Sequence, residues 1–168
     1  KRLLYLEELR PPEGYQLDRA IATTFSLDLL SLLMAPLSMV LHESQSRDEF
    51  LRDPMAALEA IRRSAGRIGV FCQKGRISVP KQQQLLYHSL EHSVVQVNPP
   101  GESGVFHPKI WLMRFRADGA PVIYRFLCLS RNLTFDRSWD TALVLEGELV
   151  DRQRAYSRNH PLGNFIKA

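Results

Sequence analysis

The hydrophobic pattern of this chain changes once, at the segment Asn98-Pro99-Pro100-Gly101-Glu102-Ser103-Gly104, and that change restricts the fold more than any other feature. Before it, short apolar runs alternate with stretches of helical periodicity. After it come two long β-type runs joined by a turn. Strands that alternate with helices need crossovers, and so form a partly parallel sheet covered by helices. A hairpin following such a unit adds antiparallel strands. The expected class is α/β, a mixed β-sheet flanked by helices.

Arg10-Pro11-Pro12-Glu13-Gly14 reads as a turn, and Leu17 to Phe25 as a strand leading into a helix. Ser26 is the expected N-cap of that helix, which would run from Leu27 to about Leu41. Asp53-Pro54 starts a second helix with Pro at its first position; Met55, Leu58, Ile61 and Arg62 share a face, and Gly66 ends it. Arg67 to Cys72 is a short buried strand, Lys81 to His92 a third helix, and Val94 to Val97 a strand. The hairpin pairs Val105–Phe115 with Val122–Leu129 across Asp118-Gly119.

The length of 168 residues fits one domain spanning residues 1–168. With 45% hydrophobic and 24% charged residues, disordered and collagen-like classes are excluded. The longest apolar stretch, Leu29–Leu41, is too short to cross a bilayer core of about 30 Å, so no membrane partner is expected. Cys72 and Cys128 lie in apolar runs and read as free buried thiols, which points to a cytoplasmic location. A start at Lys1 and an open end at Asn159–Phe165 suit a fragment of a larger protein, or one half of a two-part site. The net charge of +4 is small, yet 17 of the 22 basic residues are Arg, whose planar fork suits phosphate. Phosphate binding is thereby permitted, not required.

A two-residue turn at Asp118-Gly119 would pair residues whose numbers sum to 237. His107 would then face Ser130, and Lys109 would face Cys128. Residues i and i+2 of a strand project to one side, so His107 and Lys109 project together. Asn132, two beyond Ser130, leaves on the same side. A register slip of one residue would scatter the group. An imidazole, an ammonium, a hydroxyl and a carboxamide at one hairpin end suit phosphodiester displacement. Neutral imidazole is a nucleophile toward phosphorus, and Lys with Asn can hold the phosphoryl oxygens. No carboxylate cluster stands nearby in the sequence for a two-metal site, and neither a metal nor a cofactor is expected.

His107-Pro108-Lys109 followed by Ser130-Arg131-Asn132-Leu133-Thr134 resembles the HxK…SxN signature of the phospholipase D-like superfamily, specifically over residues 106–146. The Asp usual five residues after the Lys is replaced by Arg114, as in the HKN variant of the tyrosyl-DNA phosphodiesterase branch. Leu129 stands where a small residue usually precedes the Ser. The stretch Asp136–Glu146, with Trp139 ahead of an apolar strand, is also similar to that branch. The resemblance implies metal-independent phosphodiester cleavage through a phosphohistidine, with DNA favoured over RNA as partner and a bacterial restriction or anti-phage setting. His107 would be the nucleophile or its acid/base counterpart, Lys109 and Asn132 would clamp the phosphoryl oxygens, and Ser130 would support them. Arg131 is the expected phosphate contact, and Trp111 could stack on a base. The family joins two such motifs in one site. This chain has one, so a homodimer or a second half-domain is implied.

Two other readings compete. His88-Ser89-Leu90-Glu91-His92 matches the H-x-x-E-H pattern of inverted zinc peptidases, but lacks a downstream third ligand and reads better as a solvated helix face. The other is a catalytically degenerate domain that binds nucleic acid or scaffolds an assembly. Retention of His, Lys, Ser and Asn together leans against it. A lipid substrate is disfavoured because no basic amphipathic interfacial helix is evident.

Overall fold

The computed structural model describes residues 5–43, 54–81, 85–88, 90–99, 101, 103–135, 140–151, 154 and 156–167. In chain order the elements are α1 (Tyr5–Glu8), β1 (Gln16–Thr24), β2 (Leu27–Asp28), α2 (Leu29–Glu43), α3 (Pro54–Ala65), β3 (Ile68–Gln73) and β4 (Ile77–Ser78). They continue with α4 (Leu85–His88), a 3₁₀ turn (Glu91–Ser93), β5 (Val94–Val97), β6 (Ile110–Arg116), β7 (Ile123–Leu129), β8 (Ala142–Glu148), a second 3₁₀ turn (Ser157–Asn159) and α5 (His160–Lys167).

Six strands form one sheet in the order β5-β3-β1-β6-β7-β8. β5, β3 and β1 run parallel, whereas β1, β6, β7 and β8 are joined antiparallel. The mixed α/β sheet expected from the switch at residues 98–104 is therefore present. β1 is the seam where the two halves meet. β2 and β4 make a separate two-stranded parallel pair beside it.

One face of the sheet shares a core with the helices. Ala20 and Ala22 of β1 and Trp111, Met113 and Phe115 of β6 are buried together with Leu32, Leu33 and Met39 of α2 and Ile61 of α3. Leu17 and Ala20 are both buried although three residues apart, because a bulge between Leu17 and Arg19 resets the alternation. On the opposite face Ile21, Leu112, Phe126 and Leu145 pair in a row across four strands, and Ile21 and Leu145 are exposed.

Several local expectations need correction. The N-cap of α2 is Asp28, not Ser26: its carboxylate accepts the N–H groups of Leu30 at 2.8 Å and Ser31 at 3.1 Å. The third helix is not continuous, since α4 ends at His88 and residues 91–93 form a 3₁₀ turn; Ser89 and residues 82–84 lie outside the described residues. Asp53, Asp136 and Trp139 also lie outside them. Cys72 is buried as expected, but Cys128 is exposed on the uncovered sheet face.

The hairpin register differs by one residue. Ile110 pairs with Cys128 and Phe115 with Ile123, so partners sum to 238. A two-residue type I′ turn needs positive φ at both central residues, and here Gly119 has it (69°) while Asp118 does not. The loop is consequently longer, running from Ala117 to Val122 between the strands.

Candidate functional site

Two adjacent threonines at the C-terminal end of β1 organise the site. Thr23 Oγ1 accepts the N–H of Ile110 at 3.2 Å, and Thr24 Oγ1 accepts the N–H of Leu133 at 3.0 Å. One hydroxyl thus holds the residue after Lys109, and the next holds the residue after Asn132. Thr24 donates its own proton to Ser26 O at 2.7 Å and lies 3.5 Å from Asn132 Oδ1. Leu133 also bridges Leu27 in parallel, and its carbonyl accepts the Asp28 N–H at 2.8 Å. The S-x-N loop is therefore fastened to the chain just beyond β1. This fastening keeps the candidate group at one end of the sheet despite the slipped register.

His107 and Lys109 precede β6 and do not lie on it, but they do meet. Lys109 Nζ is 2.9 Å from both ring nitrogens of His107 and 3.4 Å from its carbonyl oxygen. Equal distances place the ammonium against the ring face rather than along either in-plane lone pair. His107 is exposed, whereas Lys109 is only 9% exposed. Burial pushes the Lys109 ammonium below its ordinary pKa. Among the described residues no carboxylate pairs with it. A buried cation without an anion nearby is costly unless an anion arrives.

Side chains that sequence patterns did not flag support the pair. The Phe25 ring lies 5.4 Å from the His107 ring, tilted by 51°, and the Arg76 guanidinium stands 5.0 Å from the Phe25 centroid. The buried Gln73 accepts the Phe106 N–H at 2.9 Å, fixing the segment that carries His107. A β-strand ending in polar Thr-Thr and an apolar strand ending in Gln were the available signals. Neither has a motif to mark it.

The remaining candidates divide. Asn132 is half-buried at the end of β1, and among the described residues no hydrogen bond joins it to His107 or Lys109. Ser130 turns to Asp140: its Oγ donates to the carboxylate at 2.5 Å, its N–H at 2.9 Å, and the Arg131 N–H at 3.1 Å. Thr141 N–H donates to Ser130 Oγ at 2.9 Å. Ser130 thereby shapes the turn that presents Asn132. Arg131 donates to Thr134 O at 2.7 Å and, with Asn132, lines a 250 Å³ cleft beside Tyr5 and Met34.

Trp111 requires correction. It is 1% exposed, packed in the core 6.4 Å from the Tyr5 ring, and cannot reach a base. The odd residues of β6 face the helices, and a large ring there stabilises the core. Arg114, at the position of the missing Asp, lies on the other face and is ion-paired with Asp18. In the H-x-x-E-H segment His88 pairs with Glu91 at 3.0 Å, and the broken helix removes the i, i+4 geometry a zinc peptidase needs.

No family model matches the sequence, and no curated protein does either. Two solved structures are similar in shape. Yeast tyrosyl-DNA phosphodiesterase superposes with a TM-score of 0.58 and 14% identity over 96% of this chain, which spans 32% of that one. Polyphosphate kinase from Porphyromonas gingivalis gives 0.37 and 16% over 83% of this chain and 20% of that one, too loose a fit to carry an argument. The first comparison concerns the fold alone. With the sheet order and the flanking helices, it shows that this chain shares its mixed-sheet fold with about a third of that structure.

Proposed function

We propose that this domain is one half of a metal-independent phosphodiesterase acting on nucleic acid, with DNA the favoured substrate. The observation that carries this reading is Lys109, a nearly buried ammonium with no carboxylate partner among the described residues, held 2.9 Å from the His107 ring. Such a pair has a use for an incoming phosphate: the phosphoryl oxygens provide the missing charge and the imidazole stands next to phosphorus.

In this mechanism a ring nitrogen of His107 attacks phosphorus in line with the leaving oxygen. The N–P bond forms as the P–O bond breaks, leaving a phosphohistidine. Lys109 and the Asn132 carboxamide donate to the non-bridging oxygens as negative charge grows on them. Ser130, tied to Asp140, acts as a positioning residue for that loop. The leaving oxygen needs a proton, and water must then be activated to cleave the N–P bond. A second histidine serves both steps in this proposal, supplied by another copy of the chain or by a second half-domain. His160 is not that group, because Leu162 occupies the position a Lys would need.

Cleavage of end-labelled single- and double-stranded DNA in excess EDTA, with wild type beside His107→Ala, tests the reading. Cutting that survives chelation and disappears in the variant is the expected result. Sedimentation of the same sample assigns the source of the second histidine. Silence from a confirmed dimer overturns the enzyme reading in favour of a binding module.

A further inference from the structure

At the end of the sheet opposite His107, the N-terminal part of β1, Arg67 just ahead of β3 and the end of β6 border an open cavity of about 590 Å³. Arg19, Arg67 and Arg116 line it, and an adjoining 280 Å³ cavity that shares Gln16, Leu17 and Arg67 adds Arg63. Two carboxylates are also present. Asp18 is taken by Arg114 across the β1–β6 pair, and Asp118 sits exposed in the hairpin turn. Among the described residues no ion pair joins Arg19, Arg63, Arg67 or Arg116 to an acid.

The surroundings hold Arg67 in place. Arg67 donates to Leu17 O at 2.7 Å, which fixes its guanidinium at the cavity wall. The β1 bulge at Leu17/Arg19 sets Arg19 directly opposite Arg114, a like-charge pair that costs stability in an antiparallel sheet. Three guanidiniums around one opening, with a fourth in the adjoining cavity and Asp118 the one lining carboxylate among the described residues without an ion pair, form an anion site wider than one phosphate. Rigid planar forks select oxyanions that accept two parallel bonds.

We infer that this cluster is a second phosphate-binding site, which takes nucleic-acid backbone away from the reacting phosphodiester. The inference rests on the nucleic-acid reading above. β6 separates the two ends; the seven steps from Lys109 to Arg116, at about 3.3 Å each, put them roughly 20 Å or more apart. A short oligonucleotide seated at His107 cannot reach the cluster, whereas a long one can.

The test uses the whole chain and two labelled single-stranded DNAs, of about 3 and about 30 nucleotides, with affinities read by anisotropy over a series of salt concentrations. Arg19→Ala/Arg116→Ala removes two exposed side chains and relieves the Arg19–Arg114 like-charge pair, so the melting temperature should not fall below wild type. The expected result is a several-fold loss of affinity for the long DNA, with its salt slope smaller by about 1.5, and an unchanged affinity for the short one. Unchanged affinity and slope for the long DNA, while Lys109→Ala weakens both oligonucleotides, overturns the second site and leaves the phosphodiesterase reading standing. Failure of the wild type to bind either DNA overturns both.

Discussion

Thr24 Oγ1 accepts the Leu133 N–H at 3.0 Å, across 109 positions of sequence, and so ties the S-x-N loop to the end of β1. Because Thr24 is fully buried, loss of this acceptor leaves the Leu133 N–H unsatisfied. Thr24→Val should therefore cost about 1–3 kcal/mol in urea unfolding and should lower cleavage as well. Thr24→Ser keeps the hydroxyl and should recover most of the activity.

Lys109→Met separates function from stability. Replacement of a buried, unpaired ammonium by an apolar chain of similar length should leave the melting temperature unchanged or raised. Cleavage should fall by about 10²–10³-fold, the loss typical of one donor to a developing oxyanion.

The same residue sets a pH dependence. The folded protein holds the Lys109 proton less tightly than the unfolded chain, whose ordinary value is 10.5. In the window between the lowered folded value and 10.5 the unfolded state binds more protons, so this lysine makes stability rise with pH. Wild type should gain stability over Lys109→Met-corrected behaviour as pH approaches 10.5, and the gain should vanish in the variant. Urea midpoints at two alkaline pH values measure the difference.

Trp111 is a core residue, so its substitution should act on folding and not on binding. Trp111→Ala should cost about 3–5 kcal/mol. Trp111→Phe, which keeps most of the ring volume, should bind DNA as wild type does, and a selective loss of affinity in that variant would return Trp111 to the substrate site.

The two thiols should differ in reactivity. Cys72 is fully buried, and burial pushes its thiol up to about 11, whereas Cys128 is exposed. Titration of the native chain with a disulfide reagent should modify one thiol quickly, and the second only after denaturation.

The local elements were largely legible. β1, β3, β5 and β7 fall within a residue or two of the apolar runs that announce them, and α3 spans the helical stretch between Pro54 and Gly66. These are signals of short range, since burial of one face imposes its period on neighbouring residues. What failed was chemistry at the boundaries. The capping carboxylate of Asp28 outcompeted Ser26, and a single positive φ at Gly119 moved the hairpin register by one. α1 and α5 escaped because elements of four and eight residues leave little periodicity to read.

The sequence by itself determined the residue types of the site, the H-x-K and S-x-N spacing, and the change from crossover to hairpin at residues 98–104. Periodicity and side-chain chemistry are carried by each stretch of chain alone, so they survive without knowledge of the rest. Only the tertiary structure decided which of those residues meet. The slipped register predicted separation, yet Thr23 and Thr24 draw both motifs to the end of β1. Ser130 is turned to Asp140 and Trp111 into the core. Hydrogen bonds between residues a hundred positions apart depend on strand pairing and burial, and no local pattern encodes those partners.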